Sequence, residues 1–222
     1  MKDAGATHRR RHILKMSAAL GAIGALSPMH RVFAQDALRR TQDQILGPFY
    51  PVMKKPDPTG DLTRVEGGLG RAKGQILNLM GRVRNPAGEP VRNARVEIWQ
   101  TNAAGRYAHP DDPNRTPLDP DFEGFGVVTT DAEGRYQFKT IKPAAYPTGP
   151  TGMRPAHIHF HVVGRHDELV TQMYFEGDAH NERDRYLQSA RRPEELIVKL
   201  RPATSELAPG SVTAVFDLVF RG

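Results

Sequence analysis

An all-β fold, an antiparallel β-sandwich with long loops and an extended N-terminal arm, is what this chain of 222 residues predicts. Two observations carry that reading. From Gln75 onward, apolar and polar residues alternate over short runs bounded by Pro, Gly, Asn and Asp, with no sustained helical period between them. Counts of 21 Gly and 18 Pro also fit strands and turns better than helices. A chain of this length is expected to form one domain with an added segment and to bury a substantial core.

The first element is a leader. Lys2, Arg9, Arg10, Arg11, Lys15 and Arg31 are opposed only by Asp3 within residues 1–34, so +5 of the chain's net charge of +6 sits there. The remainder is nearly neutral and lacks the basic face of a nucleic-acid binder, so no nucleic-acid partner is expected. Met16 to Pro28 is apolar and small, and Val32-Phe33-Ala34 places a signal-peptidase cut before Gln35. The apolar run is too short to cross a core of ~30 Å, so no stable membrane insertion is expected after cleavage. The Arg10-Arg11 pair followed by Ile13-Leu14-Lys15 resembles the twin-arginine export signal, although Arg9 stands where Ser or Thr is usual. The expected organisation is a signal peptide over 1–34, an arm over 35–73 and a β-sandwich domain over 74–222. The destination is the periplasm or the exterior. Cysteine is absent, which excludes disulfides, thiolate metal sites and a lipidated cysteine.

Asp36 to Leu46 reads as a short helix. Gly47-Pro48-Phe49-Tyr50-Pro51 ends it, because proline removes amide donors and restricts the residue before it. Residues 47–73 then read as an extended arm with Phe49 and Tyr50 as anchors. Strands are expected at Ile76–Val83, Val91–Gln100, Gly126–Thr130, Tyr136–Ile141, Leu169–Phe175, Leu196–Leu200 and Thr213–Phe220, with a helical turn at Asp184–Ala190. Between Tyr107 and Phe125 runs a connector crowded with Pro and Asp, long enough to read as a functional loop on a rigid scaffold.

Met153 to Val163 is the segment with chemistry in it. A strand would project His157, His159 and His161 from one face and Ile158, Phe160 and Val162 from the other. Two imidazoles spaced by two residues can reach one metal ion. Iron, copper, zinc and nickel all accept imidazole, so the other ligands must choose, and solvent-facing histidines are the plain alternative. Trp99-Gln100-Thr101-Asn102 leads through Gly105-Arg106 to Tyr107 at the mouth of the long loop. Lys142-Pro143-Ala144-Ala145 similarly presents Tyr146 before Pro147. Taken alone, each tyrosine reads equally as an amphipathic packing residue.

Several motifs in one order change that picture: Leu79-x-Gly81-x-Val83, Val96-Glu97-Ile98-Trp99-Gln100, Gly105-Arg106-Tyr107, Thr140-Ile141-Lys142-Pro143, Tyr146-Pro147, Arg154-Pro155-Ala156-His157-Ile158-His159-Phe160 and Gln172-Met173-Tyr174-Phe175-Glu176-Gly177-Asp178. From about Gln44 to the C-terminus the chain resembles the intradiol ring-cleavage dioxygenases, most of all the protocatechuate 3,4-dioxygenase branch. The resemblance implies a non-haem Fe(III) held by Tyr107, Tyr146, His157 and His159, with Tyr146 and His159 axial. Two anionic phenolates favour the ferric state. It further implies that a catechol gives up both protons, one of them to Tyr146, and takes in both atoms of O2. The ring then opens between its two hydroxylated carbons to a muconate-type diacid. Arg154 matches the family's electrostatic catalyst and Gln172 a polar residue near the pocket. His161 has no ligand counterpart.

Departures limit the substrate expectation to a protocatechuate, catechol or hydroxyquinol class. Thr148 stands where protocatechuate enzymes tend to carry Trp, and residues 148–152 replace bulkier loop residues, which implies a different pocket wall. The helical dimerisation segment of catechol 1,2-dioxygenases has no counterpart. A homo- or hetero-oligomer both remain open, because the protocatechuate branch pairs two related subunits. Two other readings compete. A non-catalytic, exported transthyretin-like binding module would explain the sandwich and the leader, leaving both tyrosines and Arg154 as coincidences. A cupin-type metalloenzyme needs a Glu three or four residues past the second His, where Val162 and Val163 stand, and the nearest is Glu168.

Overall fold

The computed structural model describes residues 37–52, 59–149 and 152–222, so the expected leader lies outside the described residues. In chain order the strands are β1 (Ile76–Arg84), β2 (Arg95–Gln100), β3 (Phe125–Thr129), β4 (Arg135–Ile141), β5 (Tyr146–Pro147), β6 (Met153–Arg154), β7 (His157–Val163) and β8 (Glu168–Phe175). A four-residue helix, α1 (Arg185–Gln188), precedes β9 (Ile197–Val198), β10 (Arg201–Pro202), β11 (Val212–Val215) and β12 (Leu218–Val219). One sheet is built on β1, which pairs antiparallel with β4 and parallel with β11 and β12, while β10 extends the β11 edge. The second runs β3-β2-β7-β8-β9, and β5 and β6 form a separate ribbon.

The all-β sandwich is therefore the fold. Its central ladders are antiparallel, as in β2–β7 and β7–β8, but β9, β11 and β12 join in parallel. A tight hairpin would have forced the antiparallel direction. These short strands arrive through longer connections, which leave the direction free.

Period-2 alternation sorts the core from the site. Leu77, Leu79 and Val83 of β1 and Phe138 of β4 share one core with Val96 and Ile98 of β2 and with Ile158, Phe160 and Val162 of β7. All of these are fully buried. Each such side chain contributes roughly 1.5–3 kcal/mol over its exposed state. That anchorage makes β7 a stiff platform, and the residues between the core positions are turned to the opposite face.

Three sequence expectations change in detail. The helix expected over Asp36–Leu46 is not formed in residues 37–46. Its amides are committed elsewhere, with Leu38 N donating to Pro86 O (2.7 Å), Thr41 N to Val219 O and Gln44 N to Val170 O (both 2.8 Å). Docking on β8 and β12 outweighs a marginal local helix. The histidine segment breaks into β6 and β7 at Pro155-Ala156, where proline has no amide to give. The last strand breaks at Phe216-Asp217, whose groups bond instead to Met80 O and Arg82 N (2.9 Å each).

Candidate metal centre

Tyr107 reaches the site through a turn that Asn102 ties together. Its Oδ1 accepts from Ala104 N (2.9 Å) and Arg106 N (3.0 Å). Gly105, at φ +78°, lets this turn lie on the next loop, since a Cβ there would meet Ala145 O at 2.6 Å. The buried carboxylate of Asp112 then accepts from Tyr107 N (2.7 Å) and Asn114 N (2.9 Å), fixing the start of the long loop. Tyr146 lies on the β5–β6 ribbon directly opposite Arg154. His157 and His159 stand on β7 facing Tyr174 and Gln172 of β8, and His159 also faces Trp99 of β2.

These four side chains converge. The two imidazole Nε2 atoms are 3.2 Å apart, and Tyr107 Oη lies 3.3 Å from His157 Nε2. The Tyr146 ring centre is 5.4 Å from that of Tyr107 and 5.6 Å from that of His157. Burial, then the Arg154 charge, pushes the His157 imidazole down to about 3. Burial, then His157, holds His159 well below its ordinary value. Both rings are thus neutral donors. Burial raises both phenols, and at Tyr146 the Arg154 charge opposes that rise.

The residues fit a metal ion. His157 Nδ1 lies 2.7 Å from Pro155 O, which places the ring proton there and leaves the Nε2 lone pair facing inward. Two imidazole nitrogens 3.2 Å apart match the spacing of neighbours on one first-row metal at about 2.1 Å. Among the described residues no three His, Asp or Glu side chains form a metal cluster, so the donor set is complete only with the phenols.

Arg154 is the electrostatic hub. Its Nε donates to Asp184 Oδ2 (2.8 Å), and Nη2 donates to Asp184 Oδ1 (3.2 Å), Gln172 Oε1 (2.9 Å) and the Tyr174 hydroxyl (3.0 Å). Nη1 lies 3.2 Å from His157 Nε2. Gln172 is fully buried, its carbonyl taken by Arg154 and its amide donating to Ile45 O (2.8 Å), so it holds Arg154 and the arm together. His161 turns away from the other two histidines, with Nε2 3.1 Å from Glu168 Oε2 and Nδ1 3.5 Å from Glu97 Oε2.

A cavity of about 730 Å³ adjoins this cluster and meets it at Tyr146 and Arg154. Tyr146 and Arg154 form its buried wall, and Phe49, Thr148 and Met153 its sides. His180, Arg183 and Arg185 stand at the rim.

Sequence reasoning missed several members. Asp184 is readable as the N-cap of α1, where it accepts from Tyr186 N and Leu187 N, but its ion pair with Arg154 spans thirty residues. Phe49, expected as an anchor, packs its ring 4.9 Å from Tyr107 and so roofs the centre itself. Trp99 and Tyr174 carried no signal beyond their place in a motif.

The family model described as Dioxygenase matches residues 45–222. Protocatechuate 3,4-dioxygenase beta chain of Burkholderia cepacia is 53% identical over 122 residues, covering 53% of this chain and 52% of that one. Catechol 1,2-dioxygenase of Acinetobacter baylyi is 36% identical over 166 residues, covering 67% and 51%. The dioxygenase domain of a carbohydrate-binding fusion from Streptomyces sp. SirexAA-E superposes with a TM-score of 0.60 at 26% identity, covering 82% of this chain and 99% of that one. The chain spans about half the length of the curated relatives it matches. With the matched region running from the arm to the last strand and enclosing all four converging donors, this chain belongs to the intradiol ring-cleavage dioxygenase family.

Proposed function

We propose that the protein is a non-haem Fe(III)-dependent intradiol dioxygenase. It inserts both atoms of O2 into a catechol and opens the ring between the hydroxylated carbons to a muconate-type diacid. One observation carries this reading: two neutral imidazoles and two buried phenols meet at one point beside a cavity that Arg154 also lines. Tyr107, Tyr146, His157 and His159 would hold the iron, which supplies the Lewis acidity that binds a catecholate and draws charge from its ring. Tyr146 Oη, on the cavity wall, accepts one catechol proton. Arg154 presents a fixed guanidinium to charge that develops on the ring, held in place by Asp184 and Gln172. Phe49 and the arm keep bulk water off the donors.

The test is direct. Protein loaded with Fe(III) should show a phenolate-to-iron charge-transfer band in the visible, and should consume one O2 per catechol with release of a ring-opened diacid. Colourless iron-loaded protein with no oxygen uptake overturns the proposal.

The rim argues for an anionic ring substituent, such as the carboxylate of protocatechuate. Among the described residues, both lining carboxylates are already engaged, Asp184 by Arg154 and Asp112 by backbone amides, whereas Arg183 and Arg185 have no carboxylate partner. In the Arg183→Gln/Arg185→Gln variant, the ratio of kcat/KM for protocatechuate to that for catechol should fall about three- to tenfold. High salt should shrink the effect, because exposed charges are screened. An unchanged ratio assigns the rim no role in selection. We also propose that residues 1–34 direct export and are cleaved near Ala34. Recovery of the mature protein only from cytosol would overturn that.

A further inference from the structure

The two histidines are held by different means. His157 has the usual arrangement, its Nδ1 2.7 Å from the Pro155 carbonyl. His159 has none. Its Nδ1 is buried without a hydrogen-bond partner among the described residues, although the residue is only 2% exposed. A ligating imidazole that lacks such a bond can still rotate about its Cβ–Cγ axis, so something else must set its plane.

Two contacts do so. Trp99 is the cross-strand neighbour of His159 in the β2–β7 ladder, and its indole stacks on the imidazole at 4.7 Å with only 9° between the planes. Gly47, in the arm, closes the Cε1 edge of the ring. A Cβ at that position would stand 3.0 Å from Cε1, and φ of +78° suits glycine. The indole is itself braced, since the Tyr50 ring meets it edge-on at 4.9 Å and the Tyr50 hydroxyl donates to the buried Glu97 carboxylate. Face, edge and brace come from β2 and the arm.

We infer that Trp99 and Gly47 are positioning residues for His159, an aromatic face and a backbone edge replacing the missing hydrogen bond. The inference rests on the metal reading only in its second test. One consequence is that the arm, through Gly47 and Tyr50, takes part in metal retention although it offers no ligand. Another is that the imidazoles differ as donors: His157 is strengthened by its carbonyl contact, and His159 is not.

The first test needs no metal. In side-chain histidine NMR of the metal-free full chain, the His159 Cε1–H resonance should be single and displaced by the indole ring current. Trp99→Phe should keep it single. Trp99→Leu should remove the displacement and broaden or split the line, leaving His157 unmoved. Gly47→Asn tolerates a positive φ yet carries the Cβ, and should shift His159 with the indole intact.

The second test is iron affinity by chelator competition. Trp99→Leu should lower it about 10–100-fold, the range seen when a ligand's support is removed, and Trp99→Phe should recover most of the loss. The inference is overturned if Trp99→Leu leaves the His159 resonance in place. It is equally overturned if the Leu and Phe variants lose iron alike and only in proportion to the destabilisation of the metal-free fold. Wild-type protein that takes up no ferric iron sinks the metal reading, and the resonance alone then decides the clamp.

Discussion

Replacing Asp184 with alanine is expected to destabilise the protein by about 3–5 kcal/mol, the penalty for stranding one member of a buried ion pair. Arg154 is 5% exposed and Asp184 4%, and two contacts of 2.8 and 3.2 Å join them. Without the carboxylate, the guanidinium keeps only neutral acceptors, Gln172 and Tyr174, and has His157 Nε2 nearby. It cannot escape by losing its proton, because arginine does not titrate in the accessible range. The same aspartate caps α1 through Tyr186 N (3.1 Å) and Leu187 N (2.8 Å), and removing an N-cap adds about 1 kcal/mol. Asp184→Asn retains an acceptor for the cap and part of the Arg154 contact, so its cost should be clearly smaller. Urea unfolding of the metal-free protein separates the two variants.

The pH dependence has a definite sign. Burial alone would raise the Asp184 carboxyl, but the hydrogen bonds and charge of Arg154 outweigh it and hold the group below its ordinary value of 3.8. A depressed carboxyl stabilises the fold above its unfolded-state pKa, and that share is lost as pH falls through the lower folded-state value. The wild type should therefore shed this contribution only below about pH 4, and Asp184→Asn should lack it at every pH. Equal acid sensitivity in both proteins contradicts the pairing.

Which parts of this site could be read from the chain follows from the range of the interaction. The face of β7 was legible because alternation is local: Ile158, Phe160 and Val162 are buried in the core, and His157 and His159 turn the other way. The break at Pro155 went unread, although its cause, a missing proline amide, is equally local. Tyr107 sits on a loop and Tyr146 in a two-residue strand, neither long enough to show periodicity, and only the family resemblance singled them out. Asp184 showed itself as a helix start, since a cap is a contact over two or three residues, whereas its bond to Arg154 depends on where the sheet leaves both chain segments. The arm misled for the same reason. Residues 37–46 carry a weak helical pattern, but their amides are claimed by Pro86, Val170 and Val219, which no local pattern reveals. Trp99 against His159 is a matter of register, fixed only once β2 and β7 pair.

Tyr107→Phe should remove the iron while sparing the fold. The phenylalanine ring retains the contacts at 4.9 Å to Phe49 and 5.4 Å to Tyr146, and only one hydroxyl is lost. Thermal unfolding of the metal-free variant should thus change by no more than about 1–2 kcal/mol, the range for one buried hydrogen-bonding group. Ferric affinity should fall more than about 100-fold, beyond the loss that follows removal of a mere supporting contact, because a donor atom has gone and one of two anionic charges with it. Losing that charge should also weaken the preference for ferric over ferrous iron, so the variant should hold Fe(II) relatively better than the wild type does. Proton release offers an independent readout. Each phenol must surrender its proton to bind, so Tyr107→Phe should release one proton fewer per iron bound. Tyr146→Phe should match it in that count and differ in turnover. Tyr146 is on the cavity wall beside its cross-strand neighbour Arg154, so its loss also removes a proton acceptor worth about 10²–10⁴ in rate. If both variants keep the visible band and the wild-type proton count, the phenols are not ligands and the site must be rebuilt around His157 and His159 alone.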